Sequence, residues 1–296
     1  QKDETESPYA VTLCKKGTKG VQWGSSETAD FYSIFPQRAN PDLKGKYLVT
    51  PTSSYSAFNI NTPDMQTCIV APTSETDLTP KMTTADMYSC FMYAKTTGVE
   101  RGKEVNLRYV PFATAIRFTL KAPESQVTIG DITLTAPNEY PISGKYTVDL
   151  SSVSSTNKYP DVTVVSAESS TSVSMMARYK NETYLQLSNS QTIELNIFIM
   201  LDSHKQYDIS NGWKLSVVVN NQRKTISLDG KTLGTGILTP GKVYRLPELP
   251  ALDDPGWDIS KWMTYIPRNV YLSEISMPGS WSCTRKTFQS TPSGVG

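Results

Sequence analysis

Histidine is almost absent from this chain of 296 residues: His204, in "LDSHKQYD", is the only one. That supply excludes two-histidine acid/base chemistry and any metal site needing more than one imidazole, and His204 reads as an exposed loop residue between two strands. Cysteine is also sparse. Cys14, Cys68, Cys90 and Cys283 show no C-x-x-C spacing, so a zinc site is not expected, and the four can form zero, one or two disulfides. Long apolar runs are missing. The densest, from Ile193 to Leu201, is interrupted by Glu194 and Asn196 and is about half the roughly 18 residues of a spanning helix. Charge is balanced, with 29 Lys and Arg against 28 Asp and Glu and no block of like sign, which leaves nothing to track a phosphate backbone; no nucleic acid partner is expected. "LDGKTLGTG" has no helical pattern after it, so Gly230, Gly234 and Gly236 read as turn glycines and not as a phosphate loop.

What the sequence does have is alternation. In "FATAIRFTLK", Phe112, Thr114, Ile116, Phe118 and Leu120 fall on one face and Ala113, Ala115, Arg117, Thr119 and Lys121 on the other, the pattern of a half-buried strand. "TIELNIFIML" places Ile193, Leu195, Ile197, Ile199 and Leu201 on one side and adds Phe198 and Met200 on the other, which predicts a central strand covered on both faces. "WKLSVVVNNQRKTISL" predicts a hairpin turning at Asn220 and Asn221, residues that tolerate positive φ. Further strands are expected over 127–134, 144–150, 162–166, 172–178, 183–187 and 241–246, with "RYKNET" (178–183) as a polar hairpin loop. Earlier, "YAVTL", "GVQW", "DFYSIF", "KYLVT", "AFNIN" and "CIVA" are shorter candidates, with the aromatics of "DFYSIF" assigned to a core, while "TTADMYSCFMYAKTTG" fits a strand or one helical turn. Close strand spacing without helical periodicity argues for antiparallel sandwiches.

Length predicts two domains. The boundary is placed in "KTTGVERGKE" (95–104), and a second break in "LPELPALDDPG" (246–256), where Pro247, Pro250 and Pro255 favour extended or turn backbone. The expected organisation is a β-sandwich domain over 1–103, a second over 104–250 and an extension over 251–296. The polar "QKDETESP" at the start reads as a tether left by processing, and the 16 tyrosines with abundant Ser and Thr fit an exported β protein.

Four segments, "ADFYSIFP", "DMYSCFMYAKTTG", "EVNLRYVPFATAIRFTLK" and "LTPGKVYRL", resemble in order and pattern the fimbrillin family of Mfa-like and FimA-like pilus subunits and surface lipoproteins of Bacteroidetes-type bacteria, over roughly residues 8–247. The third departs from that family at Pro111 or Phe112, where a histidine is usual. The resemblance implies an all-β protein of two transthyretin-like antiparallel β-sandwich domains. It also implies a place at the cell surface, in the outer membrane or a fimbrium, with the outer membrane met only through a lipid anchor on the precursor. Implied partners are other pilus subunits, by strand exchange, and surface glycans or proteins.

A different likeness lies in the tail. "WMTYIPRNVYLSEISMPGSWS" is similar to the opening of bacterial phosphatidylinositol-specific phospholipase C domains at Trp262, Met263, Ile266, Pro267, Asn269, Leu272, Ser273, Glu274, Ser276, Pro278 and Gly279. That family's catalytic His and the following Asp would fall at Trp281 and Ser282, and an indole exchanges no proton near neutral pH. No catalytic residue, cofactor or metal is therefore expected, and the main expectation is a non-enzymatic fimbrial subunit or adhesin. The alternative is a surface binding module attached to a degenerate or truncated phospholipase C-like domain. Trp257, Trp262, Tyr265, Val270, Tyr271 and Leu272 are expected to form a donor strand or a tail packed on the same molecule, and Asp253, Asp254 and Asp258 beside the two tryptophans read as a solvated linker. Purified chain incubated with phosphatidylinositol should release no inositol phosphate; turnover above a protein-free control, abolished by a substitution within 258–285, would overturn that expectation.

Overall fold

A computed structural model describes residues 26–36, 48–74, 77–180, 184–229 and 236–252. Among them there is no helix; the chain is all-β, and most of its strand pairs are antiparallel. In chain order the strands are β1 (Thr28–Phe35), β2 (Val49–Pro51), β3 (Ala57–Asn61), β4 (Met65–Pro72), β5 (Pro80–Thr84), β6 (Met92–Glu100), β7 (Val110–Pro111), β8 (Thr114–Lys121), β9 (Val127–Thr135), β10 (Ser143–Asp149), β11 (Asp161–Ser170), β12 (Ser172–Tyr179), β13 (Leu185–Leu187), β14 (Thr192–Ile199), β15 (Lys214–Val219), β16 (Gln222–Ser227) and β17 (Val243–Arg245).

They form four sheets around two cores. The larger core lies between a seven-stranded sheet, ordered β16-β15-β9-β12-β4-β5 with β13 also on β9, and a three-stranded sheet, β14-β8-β17. Ile116, Phe118 and Leu120 of β8 meet Ile129, Ile132 and Leu134 of β9, Met175 of β12 and Leu215, Val217 and Val219 of β15 in this layer. The smaller core lies between β1-β6-β7 and β11-β10-β3-β2, and holds Ile34, Phe91, Tyr93, Phe112, Tyr146, Val148 and Val162.

Local pattern dictates several of these elements directly. The β15–β16 hairpin turns at Asn220 and Asn221, with φ of 47° and 64°, so two asparagines supply the left-handed pair that a two-residue turn requires. Along β8 every even-numbered residue from Thr114 to Leu120 is buried, as the alternation predicts. "DFYSIF" becomes β1, and of its aromatics Tyr32 packs, partly buried, against the smaller core. Ile34 is buried, whereas Phe35 turns outward and packs edge-on against Tyr109, because strand alternation sends neighbouring side chains to opposite faces.

β14 is covered on both faces: Ile193, Leu195, Ile197 and Ile199 enter the larger core, while Phe198 and the following Met200 face the smaller one. It is nonetheless an edge strand of its own sheet, and the central position expected from its two-sided pattern is not what the ladder shows. Side chains and loop backbone replace a neighbouring strand. The buried Gln66 amide donates to the Phe198 carbonyl (2.6 Å) and accepts from the Phe198 N–H (2.9 Å), Thr83 Oγ1 donates to the Glu194 carbonyl (2.9 Å), and the Met200 N–H donates to the Ile142 carbonyl (3.1 Å). A primary amide has the same donor and acceptor pair as a peptide unit, so Gln66 satisfies one residue of a missing ladder.

The segment expected to be divided at 95–104 is the end of β6 and a turn in which Gly98, Arg101 and Lys103 are exposed. The sheets run across that boundary. β3 pairs with β10 and β4 pairs, in parallel, with β12, and each core draws side chains from both sides of residue 103. A second parallel pair, β17 on β8, departs from the purely antiparallel expectation. Beyond it, Leu246, Leu249 and Leu252 are buried in the larger core, and the N–H groups of Leu246 and Leu252 donate to Arg117 and Lys121 carbonyls of β8. The start of "LPELPALDDPG" is thus packed core and not a linker: its leucines recur every third residue, and the prolines between them hold the backbone extended.

Replacing Gln66 by Leu leaves the Phe198 N–H and carbonyl buried without partners and should cost about 2 to 4 kcal/mol in urea unfolding. A loss near zero would show that β14 does not depend on this substitute partner.

Candidate functional site

The sequence-expected residues are distributed as follows. His204 sits in the loop between β14 and β15, exposed, with Nε2 3.2 Å from Asp161 Oδ1 and 3.2 Å from Thr163 Oγ1. Its N–H donates to the buried Asp202, at the rim of a shallow depression of about 510 Å³ that Ser152, Tyr159 and Tyr207 also line. Both side-chain partners meet the same ring nitrogen, so no proton can pass from carboxylate through the ring to the hydroxyl. An exposed pair of this kind adds little stability. Gly236 has φ of 73° and a Cβ there would come within 2.8 Å of Asp208 Oδ1, consistent with a turn glycine. Cys68 and Cys90 are buried free thiols, and burial, followed by the charge of Asp86, pushes Cys68 up to about 11. Among the described residues no three His, Cys, Asp or Glu side chains gather as a metal site, and no helix is long and apolar enough to cross a membrane. Trp257, Trp262, Tyr265, Val270, Tyr271, Leu272, Asp253, Asp254, Asp258, Cys14, Cys283, Gly230 and Gly234 lie outside the described residues.

A second groove, about 530 Å³, lies between β1 and the β2–β3 turn and is lined by Thr28, Ala29, Asp30, Tyr32, Ser54, Tyr55 and Ser56. The turn is over-determined by hydrogen bonds. Thr52 N–H donates to the Ala57 carbonyl (3.2 Å), Ala57 N–H to the Ser54 carbonyl (3.3 Å), Ser54 N–H to Thr52 Oγ1 (3.1 Å), and Leu150 N–H to the Ser56 carbonyl (2.9 Å). Ser54 and Ser56 hydroxyls lie 3.2 Å apart, and Ser56 donates to Asp149 Oδ1 at 3.0 Å. At the tip of this fixed loop Tyr55 is 96% exposed and buries almost nothing.

The opposite wall is equally tied. Asp30 accepts from the Gly98 N–H (2.7 Å) with one oxygen and from the Tyr32 hydroxyl (3.5 Å) with the other. Lys95 donates to the Val153 carbonyl (2.7 Å) and the Ser151 carbonyl (3.2 Å), with its ammonium 5.7 Å from the centre of the Tyr32 ring. Burial first, then the Asp30 carboxylate, pushes the Tyr32 hydroxyl up, so it remains a proton donor. At Asp149 partial burial pushes the carboxyl up, but the Ser151 N–H, the Ser151 and Ser56 side chains and the Lys95 charge outweigh it and hold it below its usual value.

Tyr55, Asp149 and Lys95 were not singled out by sequence reading. The signal available was small: an aromatic flanked by serines in "TSSYSAF", where Ser and Thr favour a turn and a tyrosine gains nothing by sitting at its tip.

No family model matches the chain, and no curated protein does. Solved structures similar to it include two from Bacteroides species. One, from Bacteroides uniformis and provisionally assigned as a cell adhesion protein, is 11% identical, with a TM-score of 0.37, covering 74% of this chain and 67% of its own. The other, from Bacteroides ovatus with the same provisional assignment, is 14% identical, with a TM-score of 0.40, covering 82% and 71%. At these values the likeness establishes neither a shared family nor a shared activity.

The Asp149 Oδ1 accepts from both the Ser151 N–H (2.8 Å) and Ser56; Asp149→Asn keeps an acceptor oxygen but removes the charge that strengthens both bonds, and should destabilise the protein by about 1 kcal/mol near neutral pH in denaturant unfolding. Because the folded-state pKa is lowered, the carboxylate's contribution is present above the unfolded pKa and is lost as pH falls through the folded value. The gap between wild type and variant should therefore close in acid. A gap that stays constant on acidification would contradict the role given to the Asp149 charge.

Proposed function

We propose that the chain is a non-enzymatic surface protein, an adhesin or fimbrial subunit of fimbrillin type, whose sheets serve as a rigid frame for contact surfaces. The observation that carries this reading is the β2–β3 turn: at least six hydrogen bonds fix a loop whose most prominent side chain, Tyr55, is 96% exposed. Ordering a loop costs conformational entropy, and a pre-ordered aromatic at a tip lowers the cost of engaging a partner. The four segments resembling fimbrillins point the same way. Adhesive subunits present fixed surface groups on β frames that need no moving parts.

On this reading the chain is displayed at the cell surface, joins other subunits by strand exchange, and meets glycans or proteins on another surface. The adhesion assignment of the two Bacteroides structures agrees with the proposal, which does not rest on it.

Beads coated with the whole chain should bind epithelial or bacterial cells several-fold more than beads coated with an inert protein of similar charge. Equal binding across a panel of both cell types would overturn the adhesive role.

A further inference from the structure

We infer that the groove between Tyr32 and Tyr55 is a binding site for neutral saccharide, with Tyr55 as a stacking platform and Asp30, Ser54 and Ser56 as hydroxyl partners. The inference rests on the adhesive reading above and gives it a ligand class and a place.

Three features of the groove select this ligand. The first is the mixture of surfaces. Pyranose rings present a face of C–H groups and a rim of hydroxyls, and so require an aromatic face beside polar groups that both donate and accept. Tyr55 offers an uncovered ring, while Ser54 and Ser56 offer hydroxyls that switch between donor and acceptor, and the Asp30 carboxylate retains lone pairs beyond its bonds to Gly98 and Tyr32.

The second is charge. Among the described residues the lining contains one carboxylate and no cation. Lys95, whose ammonium lies 5.7 Å from the centre of the Tyr32 ring, is not among the lining residues and donates to the Ser151 and Val153 carbonyls. An acidic sugar would meet Asp30 with no compensating charge from the described lining, so the site favours neutral over sialylated or sulfated saccharide.

The third is pre-organisation. Both walls are fixed by hydrogen bonds to different sheets, β1–β6 on one side and β3–β10 on the other, through Asp30 to Gly98 and Ser56 to Asp149. A shallow, open groove of about 530 Å³ is within the range of ligand clefts, but its polar lining suits a short oligosaccharide better than a compact apolar molecule.

The test uses the whole chain on an array of immobilised neutral and sialylated oligosaccharides, with titration of the best-retained neutral sugar. Tyr55→Ala should weaken that binding roughly tenfold or more, as truncating a central aromatic anchor does, while Tyr55→Phe keeps it within about threefold because the stacking face survives. Since Tyr55 buries almost nothing, both variants should melt like wild type, which separates lost binding from lost folding. Retention of sialylated in preference to neutral sugars, or neutral-sugar binding unchanged by Tyr55→Ala, would overturn the assignment. If wild type retains no sugar yet coated beads still adhere, the saccharide site is refuted while the adhesive function stands; if those beads lose adherence on Tyr55→Ala, the groove takes a protein instead. Loss of bead adherence altogether would count against the adhesive reading itself.

Discussion

The alternation of β14 is the constraint on which the rest of the molecule depends. One strand sends Ile193, Leu195, Ile197 and Ile199 into the larger core and, through Phe198 and Met200, reaches the smaller one, so neither hydrophobic layer is complete without it. A strand with apolar groups on both sides cannot leave an edge open to water cheaply. The chain covers that edge with Gln66, Thr83 and the Ile142 carbonyl in place of a further strand. This allows the β14-β8-β17 sheet to stay narrow and to lie beside β4 and β5 without merging into their sheet.

The groove is a by-product of how the smaller core is closed. Two sheets meet there, and where β1 and the β2–β3 turn approach one another their contacts are polar: Lys95 reaches across from β6 to the loop after β10, and Asp149 at the end of β10 holds Ser56. Polar closure leaves room for solvent between the walls, whereas apolar closure would have collapsed it. Rigidity and accessibility therefore coexist at the same place, which is the combination a recognition surface needs.

Strand existence was legible because it is written in short-range alternation. β8, β14 and the Asn220–Asn221 hairpin carry their own register, since a slip by one residue would turn Ile116 or Leu195 outward. Pairing between distant strands was not legible. Nothing in "MQTCIVAP" specifies that it should lie parallel to "SVSMMARY", because both offer the same kind of half-buried surface and the choice is made by the whole assembly. The same applies to the boundary near residue 103: a charged, glycine-bearing turn is visible locally, but whether sheets continue across it is a long-range property. Leu246, Leu249 and Leu252 were hidden by the prolines between them, whose turn signal outweighed a three-residue apolar period. The groove was least legible of all, since Asp30, Tyr55 and Asp149 come from separate strands and turns that only the tertiary structure brings together.

The parallel pairing of β4 with β12 also governs the order of events during synthesis. Met65 finds its parallel partner Ser174 only after roughly a hundred more residues have been added, and β3 waits similarly for β10, so β3 and β4, paired early only with β2 and β5, each emerge with one ladder unfilled. Until then Cys68 and Val70 lack the larger core they are to enter. Topologies of this kind close late and all at once, and an incomplete chain presents unpaired strands to its neighbours. For a protein built in this way, a holding factor that shields β3 and β4 until β12 has emerged would protect the yield of native molecules more than any added contact in the finished cores.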